Sequence, residues 1–133
     1  MGKVIAIANQ KGGVGKTTTC VNLAASMAAT RRKVLVIDLD PQGNATMGSG
    51  VDKYEVERTA YELLIEDAPI AEVIIPETSG GYHLIAANAD VTAAEIRLME
   101  FFAREIRLRN AIASVRDKYD YIFIDCPPSL NML

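Results

Sequence analysis

Four short apolar runs divide the chain and predict β-strands. They are residues 3–8, residues 34–37, residues 82–86 and residues 120–125. The first run shows no alternation of polar and apolar residues, which is typical of a strand covered on both faces in a parallel sheet. We therefore expect the first strand to lie in the centre of the sheet.

Helical patterns fill the intervals between these runs. An Ala-rich helix is predicted from about Thr17 to Ala29, and Thr59 and Thr92 each precede a glutamate by three residues, which is the spacing of a capping box. The helical region that follows Thr92 is expected to reach about residue 118, either unbroken or broken near residues 103–104. Its apolar members are expected in the core: Ile96, Met99, Phe102 and Ile106.

Strands that alternate with helices indicate an α/β fold, with a doubly wound, mostly parallel sheet and helices on both faces. A composition of 50% hydrophobic and 23% charged residues in 133 residues is typical of one globular unit. Because the chain ends soon after its fourth strand, we expect residues 1–133 to be the N-terminal portion of one domain. Such a piece would expose a sheet edge and tend to self-associate.

Composition also limits the class of protein. No stretch approaches the roughly 20 apolar residues of a membrane span, and the amino terminus lacks a signal-peptide pattern, so we expect a cytoplasmic protein. Cys20 and Cys126 lack the spacing of a metal or redox pair, so buried thiols are expected.

The net charge of −3 argues against a uniformly basic surface. The arginines of residues 97–116 form either an ion-paired, solvated face or a local DNA-contacting surface.

A glycine-rich stretch between the first strand and the first helix carries the strongest chemical signal. Residues 10–19 read Gln-Lys-Gly-Gly-Val-Gly-Lys-Thr-Thr-Thr. Glycines let successive backbone N–H groups face phosphate oxygens at a helix N-terminus, where Lys16 adds positive charge and Thr17 a hydroxyl for Mg²⁺. We predict a P-loop with these nucleotide-binding residues: Gly12, Gly13, Val14, Gly15, Lys16, Thr17 and Thr18. Gln10 stands where the standard pattern has its first glycine, and a glycine-rich turn with a solvated lysine is the alternative.

Carboxylates follow the second and fourth strands. Asp38 and Asp40 flank the end of the second strand, and Asp125 ends the fourth, as in a Walker B strand. Because the carboxyl ends of parallel strands meet at one sheet edge, these side chains should face the nucleotide. We predict that Asp125 orders Mg²⁺ through a water and that Asp38 supports either the metal shell or Lys16. The Asp38 and Asp40 pair would align the water that attacks the phosphate. The alternative for Asp38 and Asp40 is a carboxylate that caps a loop.

Three segments of the chain resemble the ParA/Soj partition ATPases, which belong with MinD and the nitrogenase iron protein to the deviant Walker A group. They are residues 9–13, Asn-Gln-Lys-Gly-Gly; residues 38–44, Asp-Leu-Asp-Pro-Gln-Gly-Asn; and residues 125–129, Asp-Cys-Pro-Pro-Ser. The resemblance implies that Lys11 reaches the phosphates of the partner copy in an ATP-bound homodimer. It also implies that Asp40 positions the water, and Gln42 is a further expected nucleotide contact.

The same resemblance implies an ATPase that uses ATP and Mg²⁺ to drive chromosome or plasmid segregation in the cytoplasm, on the nucleoid. A ParB-type centromere-binding partner would stimulate hydrolysis. Non-specific DNA binding would come mainly from sequence beyond Leu133, and no membrane contact is expected. A MinD-like membrane-associated division-site ATPase is the alternative within the group, and an inert nucleotide-binding module without turnover is the alternative outside it. Residue chemistry alone does not separate ATP from GTP.

Overall fold

The computed structural model describes residues 2–7, 14–40, 42–64, 66, 68–76, 78–88 and 101–126, with the backbone alone for residues 14–17 and 101–105. These residues form helices and strands in the following order: β1 (Lys3–Ile7), α1 (Val14–Ala29), β2 (Val34–Asp38), α2 (Asn44–Gly48), α3 (Ala60–Leu64), α4 (Ile70–Val73), β3 (His83–Ile85), α5 (Phe101–Val115), a 3₁₀ turn (Arg116–Lys118) and β4 (Tyr121–Asp125). All four predicted strands are therefore present.

The strands pair into one parallel sheet with the order β1-β4-β2-β3. Consecutive strands that run parallel are joined by crossover connections: α1 joins β1 to β2, which flank β4 in the sheet, and α5 lies between β3 and β4, which flank β2. At the carboxyl edge, Ile7, Asp125 and Asp38 are Cα partners in one row across three strands. This row fixes which residues meet at the edge where parallel sheets bind ligands.

Helices cover both faces of the sheet because successive side chains of a strand point to opposite faces. Val34 and Val36 of β2 pack with Cys20 and Ala24 of α1. Leu35 and Ile37 pack on the opposite face, in the core formed with these residues of α3, α4 and α5: Ala60, Leu63, Leu64, Ile70, Val73, Ile112 and Val115. The predicted α/β fold with a doubly wound parallel sheet is confirmed.

The sequence predicts a central first strand, whereas the described residues pair only one side of this strand. Among the described residues β1 pairs only with β4 and therefore lies at the sheet edge. Ile5 is 40% exposed, and Lys3 and Ala6 are also exposed. An apolar run indicates that a strand can be buried, but it does not identify the segment that packs on the strand or pairs with it. Here the buried strand residues lie in β2, β3 and β4.

Helix α5 runs unbroken through residues 103–104, and its buried face differs from the expected one. Ile106 is 56% exposed, so its predicted place in the core is wrong. The apolar stripe instead comprises Leu108, Ala111, Ile112 and Val115, at helical spacing. Ile106 lies roughly 200° around the helix from Leu108, at about 100° per residue. Residues 92–99, with the second capping box, lie outside the described residues, and so does the side chain of Phe102.

Two arginines of the α5 region bind backbone carbonyls. Arg107 Nη1 donates to the carbonyl oxygen of Leu64 at 2.7 Å, and Arg116 Nε donates to that of Gly2 at 2.6 Å. The amide of Gly2 donates in return to the Arg116 carbonyl at 3.2 Å. A Cβ atom at residue 2 would lie 2.4 Å from the carbonyl oxygen of Tyr119, so only glycine fits there. These contacts hold the amino end of the edge strand.

Both cysteines lie among the described residues. Cys20 and Cys126 are both buried thiols, as predicted. Among the helices that the structure describes, none combines the length and the apolar character that crossing a membrane requires.

Candidate functional site

The predicted P-loop lies between two described elements, because β1 ends at Ile7 and α1 begins at Val14. Residues 8–13, which include Lys11, Gly12 and Gly13, lie outside the described residues. Residues 14–17 form the first turn of α1, with their backbone alone described, and the side chain of Thr18 is exposed. The chain therefore has the order strand, glycine-rich segment and helix that a phosphate-binding loop requires.

Two buried carboxylates lie beside the start of this segment. Asp38 and Asp125 are both fully buried, and they occupy the same row of the sheet as Ile7, the last residue of β1. The amide of Cys126 donates to the carbonyl of Ile7 at 3.0 Å, and the amide of Leu39 donates to that of Asp125 at 2.9 Å. The structure thus brings the two predicted metal-supporting residues together.

Asp38 is held by hydrogen bonds on both carboxylate oxygens. Oδ1 accepts the amide of Asp40 at 3.0 Å, and Oδ2 accepts the amide and the hydroxyl of Thr46 at 3.0 and 2.8 Å. The N-cap of α2 is Gly43, which has no side chain for capping, so Asp38 binds the amide in the first turn of this helix. The contacts of Asp38 are therefore those of a capping carboxylate.

The pKa of Asp38 is raised from 3.8 to about 7, mainly by burial and to a smaller extent by the negative charge of Asp125. The hydrogen bonds from Thr46 and from the Asp40 amide oppose this rise of the pKa by favouring the charged form. Two buried carboxylates in one row repel each other when both are ionised. A cation beside them would allow both to be charged.

The residues of this edge fit Mg²⁺ that arrives with a nucleotide. The described residues contain no group of three or more His, Cys, Asp and Glu side chains that could hold a metal ion. Mg²⁺ is usually bound by one or two carboxylates together with waters and substrate phosphates, rather than by a cage of protein groups. Asp38 and Asp125 supply two such carboxylates. The backbone of Thr17 belongs to the first turn of α1.

Asp40 and Gln42 belong to a turn that leaves the end of β2. Asp40 is 7% exposed, and its Oδ1 accepts the amide of Gln42 at 3.0 Å while its carbonyl accepts that of Gly43 at 2.8 Å. The side chain of Gln42 is exposed, and its carbonyl accepts Lys53 Nζ. The structure therefore places Asp40 at the same edge as Asp38, tied to it through one amide hydrogen bond.

Sequence reasoning missed Thr46. Its side chain is fully buried, and its Oγ1 donates to Asp38 and accepts the amide of Ala87 at 2.9 Å. Thr46 thereby joins the end of β2 to the segment after β3. The residues around Thr46, from Gly43 to Gly50, show no periodic pattern that would predict its burial. Only its nearness in the sequence to Asp38 could have indicated a role at the site.

Gly43 was also not singled out, although only glycine suits its position. Its φ of 66° lies in the left-handed region, and a Cβ atom there would lie 2.8 Å from the carbonyl oxygen of Ala87. The turn from Asp40 to α2 therefore packs directly against the chain after β3.

Comparisons with known proteins agree with this architecture. A family model described as an AAA domain matches residues 2–133. Over 133 aligned residues the chain is 65% identical to an uncharacterized protein of Pseudomonas putida, 50% to the sporulation initiation inhibitor protein Soj of Bacillus subtilis, and 48% to the chromosome partitioning protein ParA of Myxococcus xanthus. Each alignment covers all of this chain and 51%, 53% and 47% of the respective relative, so the chain spans about half their length.

A solved structure supports the same grouping. Cobyrinic acid a,c-diamide synthase from Mycobacterium smegmatis, with bound ATP analog and magnesium, superposes with a TM-score of 0.90 at 39% identity. The match covers 98% of this chain and 53% of that one. The P-loop ATPase-like fold and the resemblance to ParA/Soj proteins that the sequence predicts are confirmed.

Proposed function

The chain belongs to the AAA domain family, and from this premise we propose that it supplies the nucleotide-binding part of a ParA/Soj-type ATPase that segregates chromosomes or plasmids. In this proposal residues 1–133 are the N-terminal portion of a single P-loop domain. The full-length protein is a switch in which ATP closes a homodimer and a ParB-type partner stimulates hydrolysis. Non-specific DNA is bound mainly by sequence beyond residue 133.

One observation supports this proposal most directly. The row of Ile7, Asp125 and Asp38 puts two buried carboxylates next to the segment that joins β1 to α1. Phosphoryl transfer needs positioned phosphates, a metal, an aligned water and neutralised charge, and little covalent work from the protein. The edge described above has the residue types for each of these tasks.

The roles follow from chemistry and from the resemblance to ParA/Soj proteins. Backbone N–H groups of the glycine-rich segment, with Lys16 and Thr18, would bind the phosphates of ATP. Thr17, Asp38 and Asp125 would hold Mg²⁺, which neutralises phosphate charge when it is bound. Asp40 would orient the attacking water, and Lys11 would reach the phosphates bound by the second copy. Gln42 would contact the nucleotide from the turn before α2.

The experiment measures ATP binding and phosphate release by the full-length protein, in three variants and one control. Lys16→Gln should lose binding, because the phosphates lose their principal cation. Lys11→Ala should keep binding and lose roughly 10³-fold in phosphate release, the lower range for a charge supplied by a partner subunit. Asp40→Ala should also keep binding, and should accumulate as an ATP-bound dimer in size-exclusion chromatography.

The matched control is Lys118→Ala, which removes an exposed lysine from the 3₁₀ turn before β4, at the opposite end of that strand from Asp125. It should bind and hydrolyse ATP as the parent does. A full-length protein without affinity for any magnesium nucleotide would refute the proposed function. Nucleotide binding without any phosphate release, in the presence of DNA and a ParB-type protein, would support the inert binding module instead.

A further inference from the structure

The Thr46 hydroxyl has its hydrogen-bonding direction fixed by two partners. A threonine hydroxyl has one hydrogen to donate, and it accepts through its oxygen lone pairs. The amide of Ala87 can only donate, so at 2.9 Å it occupies a lone pair of Oγ1. The hydroxyl hydrogen is then left for Asp38 Oδ2, which lies 2.8 Å away. The backbone of the segment after β3 therefore orients the hydroxyl, and the hydroxyl orients the carboxylate.

Of the three hydrogen bonds that Asp38 accepts from described residues, two come from Thr46. The amide and the hydroxyl of Thr46 both donate to Oδ2, whereas Oδ1 accepts only the amide of Asp40. A carboxylate oxygen can accept about two hydrogen bonds, so Oδ2 is fully used and Oδ1 keeps capacity for a further donor or a cation. Thr46 thus decides which oxygen of Asp38 remains available.

Helix α2 has a second attachment at its carboxyl end, which does not involve Thr46 or Asp38. Ser49 Oγ and Tyr82 Oη share a buried hydrogen bond of 2.5 Å, and the Ser49 hydroxyl is also 2.7 Å from the carbonyl of Ala45. Helix α2 is therefore attached to β2 at Asp38 through its first turn, and separately to Tyr82, the residue before β3, through its C-cap residue Ser49.

We propose that Thr46 is a positioning residue, which holds the Asp38 carboxylate so that Oδ1 supports nucleotide-bound Mg²⁺. This inference rests on the proposed function, because it concerns the same metal-dependent site. Partners that orient a metal-supporting group typically change metal affinity by 10- to 100-fold when they are removed. Thr46 acts through Asp38 and does not itself touch the metal or the nucleotide.

The test titrates Mg²⁺ into the full-length protein and follows binding of a fluorescent, non-hydrolysable ATP analogue. Thr46→Ala and Thr46→Ser differ from each other by one oxygen atom, and Thr46→Val keeps the shape of threonine without the hydroxyl. In the alanine and valine variants the Mg²⁺ concentration for half-maximal binding should rise by roughly tenfold. In the serine variant it should stay at the parent value, because the donor to Asp38 is restored.

Ser49→Ala is the control for a purely structural effect. It removes a buried hydroxyl from the other end of α2 without contact to Asp38, so it should lower the melting temperature and leave the Mg²⁺ dependence unchanged. Binding of the analogue by the parent, with the same Mg²⁺ dependence in Thr46→Ala and Thr46→Val, would overturn the positioning role and leave the proposed function intact. So would an equal shift in Ser49→Ala, or loss of the fold in both Thr46→Ala and Thr46→Val. A parent that binds no magnesium nucleotide would overturn both proposals together.

Discussion

At the scale of single residues, opposing effects act on the pKa of Asp38. Full burial and the neighbouring charge of Asp125 favour its neutral form, whereas three hydrogen bonds from Asp40 and Thr46 favour its charged form. The burial effect is the larger one, so the pKa rises to about 7. Ionisation of this carboxylate therefore lowers the free energy of unfolding.

The sign of the resulting pH dependence follows from linkage. In the unfolded chain Asp38 titrates near 3.8, and in the folded chain near 7. Between these values the folded state binds more protons than the unfolded state, so the free energy of unfolding falls as pH rises. We expect the free energy of unfolding to fall by about 3 kcal/mol between pH 5 and pH 8 because of this one group, at 1.36 kcal/mol per unit of pKa difference.

Urea unfolding of the nucleotide- and Mg²⁺-free full-length protein at several pH values measures this slope. Asp38→Asn removes the titration, so the free energy of unfolding of this variant should depend less on pH over the same interval. Asp52→Asn, at an exposed position, is the control and should follow the parent. If the free energy of unfolding of Asp38→Asn depended on pH as strongly as that of the parent, Asp38 would not be the group responsible.

At the scale of elements, the start of α3 shows how local sequence sets a helix boundary. The amide of Thr59 donates to Glu62 Oε1 at 2.6 Å, and the amide of Tyr61 donates to Thr59 Oγ1 at 3.1 Å. These are the reciprocal bonds of the predicted capping box. The amide of Ala60, the first residue of α3, donates to the Ala86 carbonyl at 2.9 Å and links the helix to the residue after β3.

Thr59→Ala should lower the free energy of unfolding by about 1 kcal/mol, the usual cost of losing an N-cap side chain. Thr59→Ser retains the hydroxyl and should cost much less. Chemical denaturation of the full-length protein and the two variants measures both values. If serine proves as destabilising as alanine, the lost methyl group, and not the cap, accounts for the effect.

The elements that could be predicted from the sequence are those with local causes. The capping box at Thr59, the apolar strands and the strand-end aspartates each depend on neighbours within a few residues. The edge position of β1 and the exposure of Ile106 depend on which distant segments cover them, and no local pattern records that. The Thr46 contact was missed for the same reason, since its partners Asp38 and Ala87 are eight and 41 residues away.

At the scale of the whole molecule, the two hydrophobic cores bury β2, β3 and β4 more completely than β1. Both cores are built on β2, β3 and β4, while β1 contributes half-buried residues such as Val4 and Ile7 at their margins. Within the described sheet β1 therefore presents one unpaired edge and an exposed Ile5. Exposed apolar edge strands are templates for pairing with other chains.

A polypeptide of residues 1–133 should therefore self-associate, and Ile5→Lys should reduce this association, because lysine on an edge strand opposes pairing. Sedimentation velocity over a range of concentrations measures the average mass. The control is Leu23→Lys, which adds the same charge at an apolar position of similar exposure, 41%, on α1. Equal reductions by the two substitutions would show that net charge, and not the strand edge, controls association.

The close approach of Gly2 to the carbonyl of Tyr119 has a practical consequence for anyone producing this protein. Affinity tags and cloning scars are commonly joined at the amino terminus, where a replaced second residue usually passes unnoticed. Here any such replacement would push the start of β1 away from the 3₁₀ turn and cost the paired bonds with Arg116. Fusion proteins should keep this glycine and place the added sequence before Met1.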